Sequence, residues 1–137
     1  MPDPEKSEGN PWLWLSRNLI EVLHAETLYR FGGAEGLRSE DLLESALSVP
    51  RQLAQYKQPT VHELASAYAH ALIRNHPFVD GNKRIGLLAA RAFLFQNGYR
   101  LNPDEAQTVT VIRRVAAGDI DQAELARWLE ENSRTVE

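Results

Sequence analysis

An all-α domain of about six helices is the fold this sequence predicts, and three observations predict it. Apolar residues recur at helical spacing in six stretches. No stretch alternates apolar and polar residues as a half-buried strand does. One run, Ile85 to Phe95, is apolar nearly all round and so predicts a buried central helix enclosed by the others. The 137 residues, 43% of them hydrophobic, suffice for one core. A domain of this size buries roughly two-thirds of the surface its unfolded chain exposes.

Composition removes several classes of function. Net charge is −4 with Lys and Arg scattered, whereas a nucleic-acid surface would show a clustered basic face. No apolar stretch reaches the roughly 18 residues of a membrane helix. Cysteine is absent, which excludes disulfides and thiolate zinc sites and fits a reducing cytoplasm. Residues 1–13 read as a flexible N-terminal tail without the apolar segment of a secretory signal, and 14–137 as a single domain.

In chain order, Trp12 to Leu15 form an apolar cluster expected to pack over the edge of the core. Ser16 is a plausible N-cap for a helix carrying Ile20, Leu23, Thr27 and Phe31, which Gly32-Gly33 stops. Ser39 opens a second helix with Leu42, Leu43, Ala46 and Leu47 on one side, closed by Pro50. Periodicity lapses from Val49 to Pro59, which reads from the residues as a solvated connector. Thr60 and Glu63 form a capping-box pair opening the helix that ends at His76. His62 and His70 lie on that helix and carry little functional weight, and Arg74 is as consistent with plain surface as with a ligand contact. After the apolar central helix, Asn97-Gly98 makes a C-cap, Pro103 opens the fifth helix, and Gly118 ends it. Asp121 and Glu124 cap the sixth, whose stripe is Leu125, Trp128 and Leu129.

Chemistry concentrates in His76-Pro77-Phe78-Val79-Asp80-Gly81-Asn82-Lys83-Arg84, a polar loop between two apolar helices. Pro77 disfavours helical conformation at His76, so the preceding helix should stop there. Imidazole titrates near neutrality and suits a general base. Gly81 permits a tight turn or close approach to a ligand. Asn82 is a good N-cap for the next helix, whose first N–H groups make an anion site. Lys83 and Arg84 add positive charge, Arg with a fork that matches phosphate oxygens. Asp80 is a hard ligand of the kind that holds Mg²⁺ together with phosphates. Taken singly each residue has a structural explanation. Together they describe a phosphoryl-group site, because charges placed between core helices are costly.

This stretch resembles the signature loop of the Fic superfamily, and its Asn-Lys-Arg ending is similar to the death-on-curing (Doc) branch. Leu23-His24, Arg30 to Gly33, Leu43 to Leu47 and Asn97-Gly98-Tyr99 stand where that family has similar residues. The resemblance implies the Fic fold, with about six helices around the central helix that follows the loop. It further implies a Doc-like toxin of a type II toxin–antitoxin system, transferring a phosphoryl group from ATP to a hydroxyl of elongation factor Tu, with Mg²⁺, and so halting translation and growth. By resemblance His76 deprotonates the acceptor, Asp80 positions Mg²⁺, and Gly81, Asn82, Lys83 and Arg84 hold and neutralise phosphate. Phe78 is then the apolar peg that anchors the loop. Val49–Pro59 would be a flap pairing with the target.

Two readings compete with this one. Adenylyl transfer is common among Fic proteins, whose loops carry glycine at position 83 and a second arginine at position 87. This chain has Lys83 and Leu87, although Gly81 matches the adenylylating pattern where the best-known Doc pattern has alanine. An inactive Fic-fold interaction protein is the third reading, opposed by the intact set His76, Asp80, Asn82 and Arg84. No Ser or Thr is followed four residues on by Glu and then Gly or Asn, the pattern of self-inhibited relatives. A separate small antitoxin, with a segment that folds on binding, is therefore expected.

Overall fold

The computed structural model describes residues 11–136. The tail expected at 1–13 lies outside them except for its last three residues. Of these, Trp12 and Leu13 belong to the packed domain. The Trp12 ring lies 6.3 Å from Phe93, and the Asn97 amide accepts from Leu13 N–H and donates to Leu13 C=O.

The described residues form six helices: α1 (Arg17–Phe31), α2 (Glu40–Tyr56), α3 (Val61–Asn75), α4 (Asn82–Gln96), α5 (Glu105–Ala117) and α6 (Gln122–Glu131). Local chemistry starts most of them. Ser16, Ser39, Thr60, Asp104 and Asp121 each accept a backbone N–H of the first turn, with full capping boxes at Thr60–Glu63 and Asp121–Glu124.

The sequence misled at Pro50, because α2 runs through it to Tyr56. A proline inside a helix costs about 3 kcal/mol or more through its missing N–H and ring clash. Here Pro50 is fully buried, so core packing offsets that cost. Only Lys57 to Thr60 separates α2 from α3, which leaves no flap between Val49 and Pro59.

Also unforeseen is a two-stranded antiparallel ribbon, β1 (Tyr99–Leu101) and β2 (Ser133–Thr135), pairing Tyr99 with Thr135 and Leu101 with Ser133. Three residues are too few to display a period of two, so no pattern announced it.

The core gathers Ile20, Leu43, Leu64, Tyr68, Leu72, Ile85, Phe93, Leu94, Leu125 and Leu129. Central position is shared differently from the sequence expectation. Eleven residues of α3 are buried against seven of α4, so the helix before the loop is the more enclosed. The two cross closely at Gly86, where a Cβ would stand 2.6 Å from Ile73 Cγ1. The loop thus hangs between the two most buried helices.

His62, 7% exposed, ties α3 to the ribbon. Its Nε2 shares a 2.7 Å hydrogen bond with Ser133 Oγ, its ring meets Tyr99 edge-on at 5.1 Å, and Nδ1 is 3.8 Å from Glu130. Burial lowers the pKa of His62, with Glu130 opposing. A histidine whose folded pKa is depressed contributes stability that is present above its unfolded value near 6.5 and is lost as pH falls below it. Thermal unfolding followed from pH 7.5 to 5.5 should therefore show falling stability, with a shallower fall in His62→Gln.

Candidate active site

The site begins where α3 ends. His76 is the C-cap and adopts φ 54°, ψ 54°, the left-handed region. It is the one non-glycine residue with positive φ among those described. For a side chain with a Cβ this conformation costs roughly 1–2 kcal/mol. Pro77 explains why the helix cannot continue. Arg38 supplies what holds the turn: its Nε donates to His76 C=O at 2.7 Å and its Nη2 to Asn75 C=O at 2.8 Å.

The loop then folds back on itself. Phe78 is buried in the core and stacks on the His24 ring, with centroids 3.7 Å apart. Asn82, 3% exposed, closes the loop: its Oδ1 accepts from Phe78 N–H at 3.0 Å and its Nδ2 donates to Phe78 C=O at 2.9 Å. The N-cap expected of Asn82 falls instead to Gly81, at φ 80°. Asn82 is the first helical residue of α4, and it is left with only its backbone N–H to offer a phosphate. His24 Nε2–H donates to Asp80 C=O at 2.7 Å, which fixes the ring's tautomer and the loop's far side.

Asp80 points outward. Its Oδ1 accepts from Gly81 N–H at 2.8 Å and its Oδ2 from Ala34 N–H at 3.2 Å. The Gly81 bond first, then that of Ala34, holds the carboxyl below the usual carboxylate range, so it is ionised at neutral pH. Gly33 makes this approach possible, since a Cβ there would meet Asp80 Oδ2 at 2.8 Å. Each carboxylate oxygen retains a lone pair, which suits a hard divalent cation. No group of three His, Cys, Asp or Glu side chains among the described residues could hold a metal. A cation here would thus depend on Asp80 together with a ligand's phosphates.

Behind Asp80, α4 starts with no side-chain cap, so its first N–H groups face outward beside Lys83 and Arg84. Both cations are exposed, and Arg84 lies over the Phe31 ring at 4.5 Å.

Along the loop His76, Asp80, Lys83 and Arg84 are exposed and Gly81 is half-buried, whereas Phe78 and Asn82 are buried. Arg74 turns away and donates to Ala116 C=O at 2.8 Å. An irregular segment, Gly32 to Arg38, turns at Gly32, Gly33 and Gly36 with positive φ and borders the loop: Leu37 bridges Phe78 antiparallel, and Val79 N–H donates to Gly36 C=O at 3.0 Å. Beside it an open groove of about 800 Å³ runs along α1, lined by Val22, Glu26, Tyr29 and Gly33 among others. Sequence reasoning missed Arg38, the loop contact of His24 and this segment, because each acts across more than 35 residues of chain.

These features define a helical domain whose exposed cations and uncapped helix start lie on a loop between its two most enclosed helices. The chain belongs to the Fic/DOC family, whose model matches residues 14–94, a span that holds α1 to the loop and nearly all of α4. It is 36% identical over 114 residues to Toxin Doc of Mycolicibacterium smegmatis, covering 80% of this chain and 86% of that protein. To the protein kinase doc of Escherichia phage P1 it is 29% identical over 116 residues, covering 84% and 91%. A Fido domain-containing protein of Dictyostelium discoideum is 29% identical over 86 residues, covering 57% and 60%.

The Asn82 clamp has a measurable weight. Asn82→Ala would leave the buried Phe78 N–H and C=O without partners, each costing about 1–3 kcal/mol. Urea denaturation should show a combined loss of roughly 2–6 kcal/mol. A loss below about 1 kcal/mol would mean that water or a shifted backbone replaces both bonds.

Proposed function

We propose that the protein is a Doc-like toxin that transfers the γ-phosphoryl group of ATP to a hydroxyl side chain of a protein target, by family likeness elongation factor Tu. The uncapped N-terminus of α4, which carries Lys83 and Arg84 and follows Asp80 in the loop that His76 opens, is the observation that carries this reading. Phosphoryl transfer requires mainly positioning and charge stabilisation, and this turn supplies both.

In this reading the target hydroxyl loses its proton to a ring nitrogen of His76 as its oxygen bonds to the γ-phosphorus. The bond from that phosphorus to the bridging oxygen breaks, and ADP leaves with the electron pair. The N–H groups opening α4 hold phosphate oxygens. Lys83 and Arg84 face the charge that builds on the transferred and leaving groups. Asp80 would hold Mg²⁺, which supplies further neutralisation of the terminal phosphates when bound. The exposed segment Gly32–Arg38, bridged to Phe78 at Leu37, is where a target segment would pair by its backbone.

Lys83 favours this reading over adenylyl transfer. Glycine at that position would let the polyphosphate backbone approach with its α-phosphate at the acceptor. A long cationic side chain obstructs that path and favours the more highly charged terminal phosphate. Gly81 is the feature that favours the adenylyl reading.

Label from γ-labelled ATP, and none from α-labelled ATP, should appear on the target. His76→Ala should reduce transfer by a factor on the order of 10² to 10⁴. Transfer of α-label by the unaltered protein would establish the adenylyl reading instead.

Regulation follows from the same site. We place the chain beside a small antitoxin whose disordered segment folds over the loop, and the groove along α1, with Tyr29 92% exposed, offers apolar surface for it to cover. Expression without that partner should arrest growth, and His76→Ala should relieve the arrest. Harmless expression of a folded, nucleotide-binding product would count against a toxin.

A further inference from the structure

We propose that Arg38 is a positioning residue for His76, gripping the end of α3 in the left-handed turn that presents the imidazole. The inference rests on His76 being the base of the reaction proposed above.

One residue engages three successive carbonyls. Arg38 Nη2 donates to Asn75 C=O at 2.8 Å, Nε to His76 C=O at 2.7 Å, and the backbone N–H to Pro77 C=O at 2.7 Å. Ser39 N–H adds a second bond to Pro77 C=O at 3.0 Å. The last carbonyls of a helix lack intrahelical donors and carry partial negative charge, so a guanidinium suits them both as donor and as cation. Its planar fork can reach two neighbouring carbonyls only if they point to the same side. The reversal of φ at His76 provides this geometry and is otherwise unfavourable for a residue with a Cβ.

No acidic side chain competes for Arg38 among the described ion pairs. The end of α3 is independently tethered, because Asn75 Nδ2 donates to Leu42 C=O of α2 at 3.1 Å. Removing the guanidinium should therefore free the turn without detaching the helix. Arg38 acts on His76 through the backbone and touches no reacting atom.

The test uses the full-length protein, γ-labelled ATP and purified elongation factor Tu. Arg38→Ala should lower kcat by about tenfold or more, as expected when a base is displaced, with KM for ATP within about twofold. Arg38→Lys, which keeps one charged donor but not the fork, should fall between, and it carries the comparison if the alanine variant does not fold. In a His76→Ala background the Arg38 change should have no further effect. An unchanged kcat, a loss confined to KM, or an undiminished further loss in that background would overturn the proposal. The backbone carbon shifts of His76, read by NMR without substrate, decide the point separately from activity. They should leave the left-handed range in Arg38→Ala, and unchanged shifts would overturn the grip of Arg38. Undiminished transfer by His76→Ala alone would instead overturn the reading of the base.

Discussion

The two hydrogen bonds between the Asn82 amide and the backbone of Phe78 set the shape of the loop that carries every charged group of the site. An amide side chain presents an acceptor and a donor from one planar group, which a carboxylate or an ammonium does not. That lets one residue satisfy both backbone groups of Phe78 while it is itself buried. Once Phe78 is held, its ring can stack on His24, and His24 can reach Asp80 C=O. The loop is thereby fixed from within by Asn82 and from α1 by His24. Its exposed side chains inherit a rigid base, as a preorganised site requires.

Two helix ends of opposite polarity meet at this loop, and the protein treats them oppositely. The negative end of α3 is met by a cation from elsewhere in the chain, Arg38. The positive end of α4 is left open. The other five helices each have a side chain that caps their N-terminus, and α4 has none. The side chain best placed to cap it, Asn82, is committed to Phe78 instead. Gly81 stands at the cap position with no side chain to offer, so the first N–H groups of α4 remain available to a ligand anion.

What the sequence disclosed follows the range of the interactions involved. The N-caps at Ser16, Ser39, Thr60 and Asp121 were legible because each joins residues three apart. The loop was legible because its chemistry is contiguous, from His76 to Arg84. The passage of α2 through Pro50 was not, since only burial of the ring offsets the broken helix bond. The ribbon of Tyr99–Leu101 with Ser133–Thr135 was hidden by its brevity. Arg38 carried no signal in the sequence and His24 only its match to the family pattern, because the groups they contact lie 38 and 56 residues away. Even Asn82 was read for its commonest local use, N-capping, when a contact four residues back had already engaged it.

The two cations at the start of α4 differ in how far the protein holds them in place. Arg84 rests over Phe31, a cation–π contact worth about 0.5–1 kcal/mol at an exposed position. Phe31 is itself 63% exposed, which an apolar ring at the end of α1 tolerates while it orients the guanidinium. Lys83 makes no hydrogen bond or ion pair with the described residues and keeps the freedom of its four-carbon stem. A fixed planar fork is suited to phosphate groups whose place does not change during transfer. A mobile point charge is suited to following the charge that migrates from the transferred group to the leaving group. Under the phosphoryl-transfer reading proposed above, Arg84 would hold the bound nucleotide and Lys83 would act at the moment of transfer, both placed by the start of α4.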